Sequence, residues 1–326
     1  MAEKLHIVTM LSNPMRYQSR FRLYERFVEK VLLAGCHLTT VEVVYDDRIT
    51  WADRIVDALK EAREELRHPD VNFIPLRTRD VMWLKESALN VGFQQLPAGW
   101  KYAAWIDADV EFHNPQFDDE TVAALNLYDV VQMWSHAVDM APDHSPVDPG
   151  KVTTSFMYGY RNKIPSKSGR YDDNSHHPGY AWAIRRDAWE ELGGLYDMGV
   201  LGAGDRHLAM SLVGMADRSY PGSMSDGYKR SILAYQDRAE AYIKRNVSYV
   251  PGMITHWWHG KKRTRFYADR WKILARNQFD PATDLRLDRS TGLWRWSNMS
   301  TARMRNLRDE VRDYFASRDE DSVDVV

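Results

Sequence analysis

Two aspartates one residue apart, Asp107 and Asp109, close an apolar run from Tyr102 to Ile106. A run bounded this way reads as a buried strand, and open α/β sheets place their ligands at the carboxyl ends of their strands. In extended chain, residues i and i+2 point to the same side. Both carboxylates can therefore face one hard cation, Mn²⁺ or Mg²⁺, which completes its shell with substrate phosphates. A solvated strand-end turn would carry the same pair with no metal at all.

Three further groups have chemistry-bearing spacing. Gly202-Ala203-Gly204-Asp205 precedes a helical pattern over residues 206–213. Small residues allow a ligand close to the backbone, and Asp205 then stands at or just before a helix N-terminus. An ordinary N-cap asks for the same residue there, and a cap can also be a catalytic acid. The run Met253-Ile254-Thr255-His256-Trp257-Trp258-His259 follows a strand pattern. Either imidazole can complete a metal site with the aspartates, or simply be a buried structural histidine. Lys85 and Asn90 share a helical stretch ahead of the aspartate strand. They suit a diphosphate or a sugar, or the exposed face of an amphipathic helix.

The elements that must position these residues follow from periodicity. Residues 5–10 read as a strand, 20–33 as a helix stopped at Gly35, and 38–45 as a β-branched strand ending at Asp46-Asp47. Residues 51–66 form a helix, 71–76 a strand and 81–95 a helix, and the aspartate strand follows. This alternation predicts a parallel, doubly wound sheet. Further on, strands are expected at 130–134, 180–184 and 249–255, and helices at 186–192, 206–213 and 234–245. Segments 142–151 and 162–177, rich in Pro, Gly, Ser, Asn and charge, are long enough for binding loops or a lid. Residues 317–326 are acidic and expected to fray.

Composition narrows the class. The 326 residues suffice for one large α/β domain or two small ones, and 44% are hydrophobic, enough for a sizeable core. A formal charge of −2 gives no whole-chain case for nucleic acid or a membrane surface. Cys36 stands alone, which excludes an intrachain disulfide and a Cys-rich zinc site and fits a cytoplasmic location. Neither a signal peptide nor a membrane span is apparent. Basic residues crowd 261–312, among them Lys261, Lys262, Arg263, Arg265, Arg276, Arg295 and Arg303, with Trp271, Trp294 and Trp296 between them. That mixture suits a polyanion or single-stranded nucleic acid, and equally a helical pack with solvated arginines.

Taken in order, these landmarks resemble the GT-A glycosyltransferases, from about residue 5 to about residue 259. Val41-Glu42-Val43-Val44-Tyr45-Asp46-Asp47 is similar to the family's second strand with its uracil-side acid. Ile106-Asp107-Ala108-Asp109 is similar to the D-x-D metal motif. The segment from Gly179 through Ala181-Trp182-Ala183-Ile184-Arg185-Arg186 to Gly193-Gly194-Leu195-Tyr196-Asp197 resembles the acceptor-side segment. Gly202-Ala203-Gly204-Asp205 stands where β-1,4-galactosyltransferases and polypeptide N-acetylgalactosaminyltransferases carry G-G-E-[DN], and Met253-Ile254-Thr255-His256 resembles the galactosyltransferase M-I-x-H segment.

The resemblance implies a GT-A fold: an α/β, Rossmann-like, doubly wound mixed sheet with a C-terminal helical extension. Residues 1–260 would be the catalytic domain, with a nucleotide-sugar half (1–110) and an acceptor half (111–260), and 261–326 the extension. It implies a UDP-sugar donor and Mn²⁺ or Mg²⁺ on Asp107, Asp109 and His256. Donor contacts would come from Thr9, Asn13, Arg16, Asp47, Lys85, Asn90, Asp107 and Gly202. Asp205 would be the base of an inverting displacement, and Trp182, Trp257, His259, Lys261 and Arg263 would meet the acceptor. Gly204 in place of the family's glutamate, and Arg206-His207 after Asp205, depart from the pattern. The acceptor is expected to be a saccharide or a hydroxymethylated DNA base, the latter as in glycosyltransferases encoded by bacteriophages. A non-catalytic sugar- or nucleic-acid-binding protein on the same fold is the alternative.

Overall fold

The computed structural model describes residues 4–66, 71–165, 176–266 and 269–325. The first half alternates as its periodicity predicts: β1 (Leu5–Ser12), α1 (Gln18–Leu33), β2 (His37–Tyr45), α2 (Ala52–Ala62), β3 (Val71–Thr78), α3 (Lys85–Gln94) and β4 (Tyr102–Ile106). Then come β5 (Val110–Phe112), α4 (Phe117–Leu125), β6 (Val130–Gln132), β7 (His136–Asp139), β8 (Thr153–Ser155), α5 (Phe156–Arg161) and β9 (His176–His177). The chain continues through β10 (Ala181–Arg185), α6 (Arg186–Leu192), α7 (Gly204–Leu212), α8 (Asp226–Tyr242), β11 (Val247–Tyr249) and β12 (Met253–His256). It closes with α9 (Asp269–Arg276), α10 (Pro281–Asp284), β13 (Leu285–Leu287), β14 (Trp294–Trp296) and α11 (Ala302–Ala316).

The main sheet has the order β11-β6-β10-β4-β1-β2-β3. Its β4-β1-β2-β3 side is parallel, and β10 runs antiparallel to both β4 and β6. The expected α/β fold with a mixed sheet is therefore present. Alternate strand residues point to opposite faces, and each face has its own core. Ile7, Leu38, Ala104, Ile106, Ala181 and Ala183 pack with Tyr24, Phe27 and Val31 of α1 and with Phe117 and Leu125 of α4. Val8, Val41, Val43, Ala103, Trp105, Trp182 and Ile184 pack with α3, α6, α7 and α8.

A second sheet, β5-β12-β7-β8-β9, stands beyond the carboxyl end of β4. Residues 249–255, expected as one strand, are two strands in two sheets. The break falls at Val250-Pro251-Gly252. Proline has no N–H to give a ladder. Val250 N–H turns back to the Gln132 carbonyl at 2.8 Å, and Ser135 Oγ brackets Gly252 at 2.9 and 3.0 Å.

The C-terminal residues share the larger core. Ile273, Leu274, Phe279, Leu285, Trp296, Met304, Leu307, Val311 and Phe315 belong to the cluster that holds Val8 and Trp105. Residues 317–325, expected to fray, dock instead: Trp258 Nε1 donates to the Ser322 carbonyl at 2.6 Å and Thr264 Oγ1 to the Arg318 carbonyl at 2.7 Å. Most of the 162–177 loop lies outside the described residues. Among the described residues no helix is long and apolar enough to cross a membrane.

Candidate functional site

The aspartate turn is pinned from three sides. Thr9 Oγ1 donates to the Ile106 carbonyl at 2.8 Å, Asp107 N–H to the Tyr180 carbonyl at 2.8 Å, and Trp257 N–H to the Asp109 carbonyl at 2.8 Å. Antiparallel pairing of β12 with β5 sets His256 opposite Val110. Two distant stretches of sequence are thus brought together by strand register, at the carboxyl end of the sheet where ligands are expected.

The atoms that converge there are Asp109 Oδ2, His256 Nε2 and His259 Nε2. His259 Nε2 lies 3.1 Å from Asp109 Oδ2, His256 Nε2 lies 3.9 Å from it, and the two Nε2 atoms are 3.2 Å apart. These three residues form the one cluster of metal-ligand spacing among the described residues, and all are buried. His256 Nδ1 donates to Asp139 Oδ1 at 2.7 Å, which fixes the tautomer and leaves the Nε2 lone pair aimed at Asp109. A carboxylate behind a histidine is the usual outer support of a metal ligand. Burial, opposed by Asp109 and reinforced by Arg265, pushes the His259 imidazole down to about 3, so it is neutral at pH 7. Burial alone would raise Asp109, but the His259 hydrogen bond and the nearby histidines and Arg20 hold it well below the usual carboxylate range. Asp109 Oδ1 is buried without a hydrogen-bond partner. A buried carboxylate with an idle oxygen beside two convergent imidazoles fits a divalent cation. Two nitrogens and one carboxylate suit a transition-metal ion better than Mg²⁺.

Asp107 is placed apart from this cluster. Its carboxylate forms an ion pair with Lys85 from the start of α3. Burial leads in raising Asp107, opposed by Lys85. Next to Lys85 lies Glu86, 6% exposed. Burial, against the pull of Lys85 and aided by Asp205, pushes its carboxyl up to about 8. A side chain on Gly204 would put its Cβ 2.4 Å from Glu86 Oε1. Where the G-G-E-D pattern has a glutamate in the loop, this chain has a glycine there and a glutamate arriving from α3.

Asp205 is the second residue of α7. The N-cap is Ala203, with φ 76° and no side-chain cap bond, so Asp205 is not the N-cap, although its Oδ1 accepts the first-turn Arg206 N–H at 2.7 Å. Its Oδ2 rests over Gly179, where a Cβ would come within 2.6 Å. The next residue, Tyr180, receives the Asp107 N–H and stacks on the His256 ring at 4.7 Å. Segment 177–180 therefore runs between Asp205 and the Asp–His cluster.

The other residues expected to make contacts have these surroundings. Thr9 is fully buried with its hydroxyl spent on Ile106, so it holds the sheet rather than a ligand. Asn90 clamps the segment after α6, bonding Leu195 N–H at 2.8 Å, its carbonyl at 3.1 Å and Asp197 at 3.2 Å. Trp182 is a core residue: it is 1% exposed, stacks on Trp105 and donates to the Pro178 carbonyl. Asn13 closes the β1–α1 loop onto Tyr17 at 2.7 and 2.8 Å. Arg16, Asp47 and Arg263 are exposed. Gly202, at φ 91°, packs on Arg270 and Trp83. One face of the half-buried Trp257 ring carries the Arg26 guanidinium at 3.8 Å. Lys261 is buried and lies 3.4 Å from Asp324.

Much of the basic segment is also committed. Arg276 pairs with Glu310, Arg295 with Asp80 and Asp288, and Arg303 with Asp284. Trp296 is in the core and Trp271 packs edge-on against His207 and Tyr228. These rings are not exposed stacking platforms. The residues that sequence reasoning missed are Asp139, Glu86 and Arg20. Asp139 ends β7, a strand too short to carry a readable period, and Glu86 lies in an ordinary helix turn. Only the place that Gly204 vacates hints at Glu86.

No protein-family model matches the chain, and no curated protein matches it in sequence. Solved structures do align with it. The Drosophila β1,4-galactosyltransferase 7 catalytic domain in complex with xylobiose aligns at 13% identity over 76% of this chain and 65% of that one, with a TM-score of 0.29. A variant of that enzyme in complex with manganese, UDP-Gal and xylobiose gives 13%, 76%, 65% and 0.28. Staphylococcus aureus TarS gives 11% identity over 74% of this chain and 44% of that one, with a TM-score of 0.37. The chain thus spans less than two thirds of these proteins. The Anaerococcus prevotii 4-diphosphocytidyl-2C-methyl-D-erythritol synthase gives 11%, 77%, 89% and 0.34. At these TM-scores the likenesses identify neither a family nor a substrate.

Proposed function

We propose that this chain is a metal-dependent glycosyltransferase that moves a sugar from a UDP-sugar to an acceptor hydroxyl with inversion. The observation that carries the reading is the buried Asp109–His256–His259 cluster, with Asp205 across segment 177–180 from it. Asp109, His256 and His259 would hold the ion, oriented by Asp139 through His256. A bound divalent cation supplies charge stabilisation to a departing diphosphate. Lys85, partly buried and ion-paired with Asp107, adds a fixed positive charge on the same side. Asp205 accepts the proton of the acceptor hydroxyl as its oxygen attacks the anomeric carbon. Glu86, its carboxyl pushed up to about 8 by burial, lies close enough to Asp205 to couple with it electrostatically.

The inward-facing tryptophans and paired arginines of 261–312 favour a saccharide acceptor over hydroxymethylated DNA. A panel of UDP-sugars, offered with free saccharides or with hydroxymethylated DNA and with Mn²⁺ or Mg²⁺, tests the reading. The expected outcome is a saccharide product whose anomeric proton coupling reports inversion. Retained configuration would refute the single-base mechanism. Donor binding without turnover of any donor would favour the non-catalytic alternative.

A further inference from the structure

The two imidazoles of the candidate metal cluster are held in different ways. His256 ends β12, which pairs with β5 and β7, and Asp139 anchors its Nδ1 at 2.7 Å. His259 lies beyond the end of that strand, outside any ladder. What brackets it is the C-terminal segment. On one side, Trp258 Nε1 donates to the Ser322 carbonyl at 2.6 Å. On the other, a Cβ on Gly260 would lie 2.8 Å from the Asp319 carbonyl oxygen and 2.9 Å from Glu320 Cα. Gly260 also has φ 88°, where a side chain is strained. Backbone therefore lies directly on backbone one residue after His259. Farther along, Thr264 Oγ1 donates to the Arg318 carbonyl at 2.7 Å, and the Tyr314 hydroxyl donates to the Arg265 carbonyl at 2.9 Å.

The other side of the segment is fastened to α1. Asp321 accepts from the Gln18 N–H at 2.9 Å and the Ser19 N–H at 2.7 Å. Arg20 donates to both oxygens of Glu320, from Nη2 at 2.8 Å. None of residues 317–325 belongs to either apolar core, so polar ties carry the docking. Segments with few buried apolar contacts open at the low end of a protein's local stabilities. An ion that favours the docked arrangement shifts such an equilibrium measurably.

We propose that residues 318–322 are a strap that positions His259 for the metal ion, with Trp258 and Gly260 as the positioning residues through which it acts, so that docking of the C-terminus and metal binding are coupled. The proposal rests on the metal-cluster reading given above. Mn²⁺ is the probe, with the full chain. Coupling between an ion and a docking equilibrium is reciprocal, so saturating Mn²⁺ should slow amide hydrogen exchange across 317–325 about tenfold. By calorimetry, Gly260→Ala should weaken Mn²⁺ binding about tenfold. Trp258→Phe keeps an aromatic ring and removes the N–H that the Ser322 carbonyl accepts; it should lose about threefold. In a His259→Ala background the same change should cost nothing further, an outcome that a general structural role would not give. Mn²⁺ that binds the wild type while exchange of 317–325 is unchanged overturns the proposal and spares the metal-cluster reading. So does a folded Gly260→Ala variant of full affinity, or a Trp258→Phe loss that persists without His259. Should Gly260→Ala not fold, wild-type exchange and Trp258→Phe decide. A wild-type protein that binds no Mn²⁺ refutes the metal-cluster reading and the strap with it.

Discussion

The chemistry rests on which atoms of a few side chains are left available. His256 spends Nδ1 on Asp139 and keeps Nε2 for the cluster. Replacing Asp139 by Ala removes that anchor, and Mn²⁺ affinity measured by calorimetry should fall about 10–100-fold, the usual cost of losing such a support. Asp205 gives Oδ1 to the Arg206 N–H and turns Oδ2 toward Gly179. Asp205→Asn should retain UDP-sugar affinity and lose turnover by roughly 10²–10⁴-fold; near-normal steady-state rates would remove it from the mechanism. Glu86 gives a pH signature. Its carboxyl is raised from an ordinary 4.5 to about 8, so the folded state holds a proton that the unfolded chain releases. The stability this brings is full below about pH 4.5 and is lost as pH rises through about 8. Wild-type stability in urea should decline between pH 6 and 8 at up to about 1.4 kcal/mol per pH unit. In Glu86→Gln that part of the decline should vanish. An unchanged slope would show that Glu86 is not the group titrating.

Among the elements, α3 matters most because it delivers Lys85 and Glu86 together. It sits so close to the sheet that a Cβ on Gly92 would lie 2.5 Å from Val8 Cγ1 and 2.9 Å from Val41 Cγ2. Helix propensity alone favours alanine there. The packing predicts the opposite sign: Gly92→Ala should destabilise by about 1–3 kcal/mol and lower turnover, because α3 must lift away with both site residues. A thermal melt showing gained stability would refute this. The β-α alternation of the first half was legible because its strands and helices are long and periodic. The second sheet was not, since β5, β7, β8 and β9 span two to four residues each and carry no readable period. For the same reason the metal cluster was half legible. Asp109 and His256 were marked by their strands. The inclusion of His259, and the diversion of Asp107 to Lys85, depend on a turn geometry that residue spacing does not encode.

At the scale of the whole molecule, the C-terminal third completes the fold around the site. Its helices fill the core shared with β1 and β4, and its last residues reach back to α1. An expectation drawn from local charge, a basic face open to nucleic acid, loses support where acids meet three of those arginines, Asp80 from outside the segment and Asp284 and Glu310 from within it. What the assembled molecule offers is an Asp109–His256–His259 cluster of metal-ligand spacing, with Asp205 and the Lys85–Asp107 ion pair, at the carboxyl edge of an α/β sheet. The most direct test is UDP release from a panel of UDP-sugars, measured with Mn²⁺, with EDTA, and in Asp109→Asn. Release from at least one donor with Mn²⁺, abolished by EDTA and by the substitution, is the predicted result. Release from no donor, or release that EDTA and Asp109→Asn leave unchanged, would contradict it.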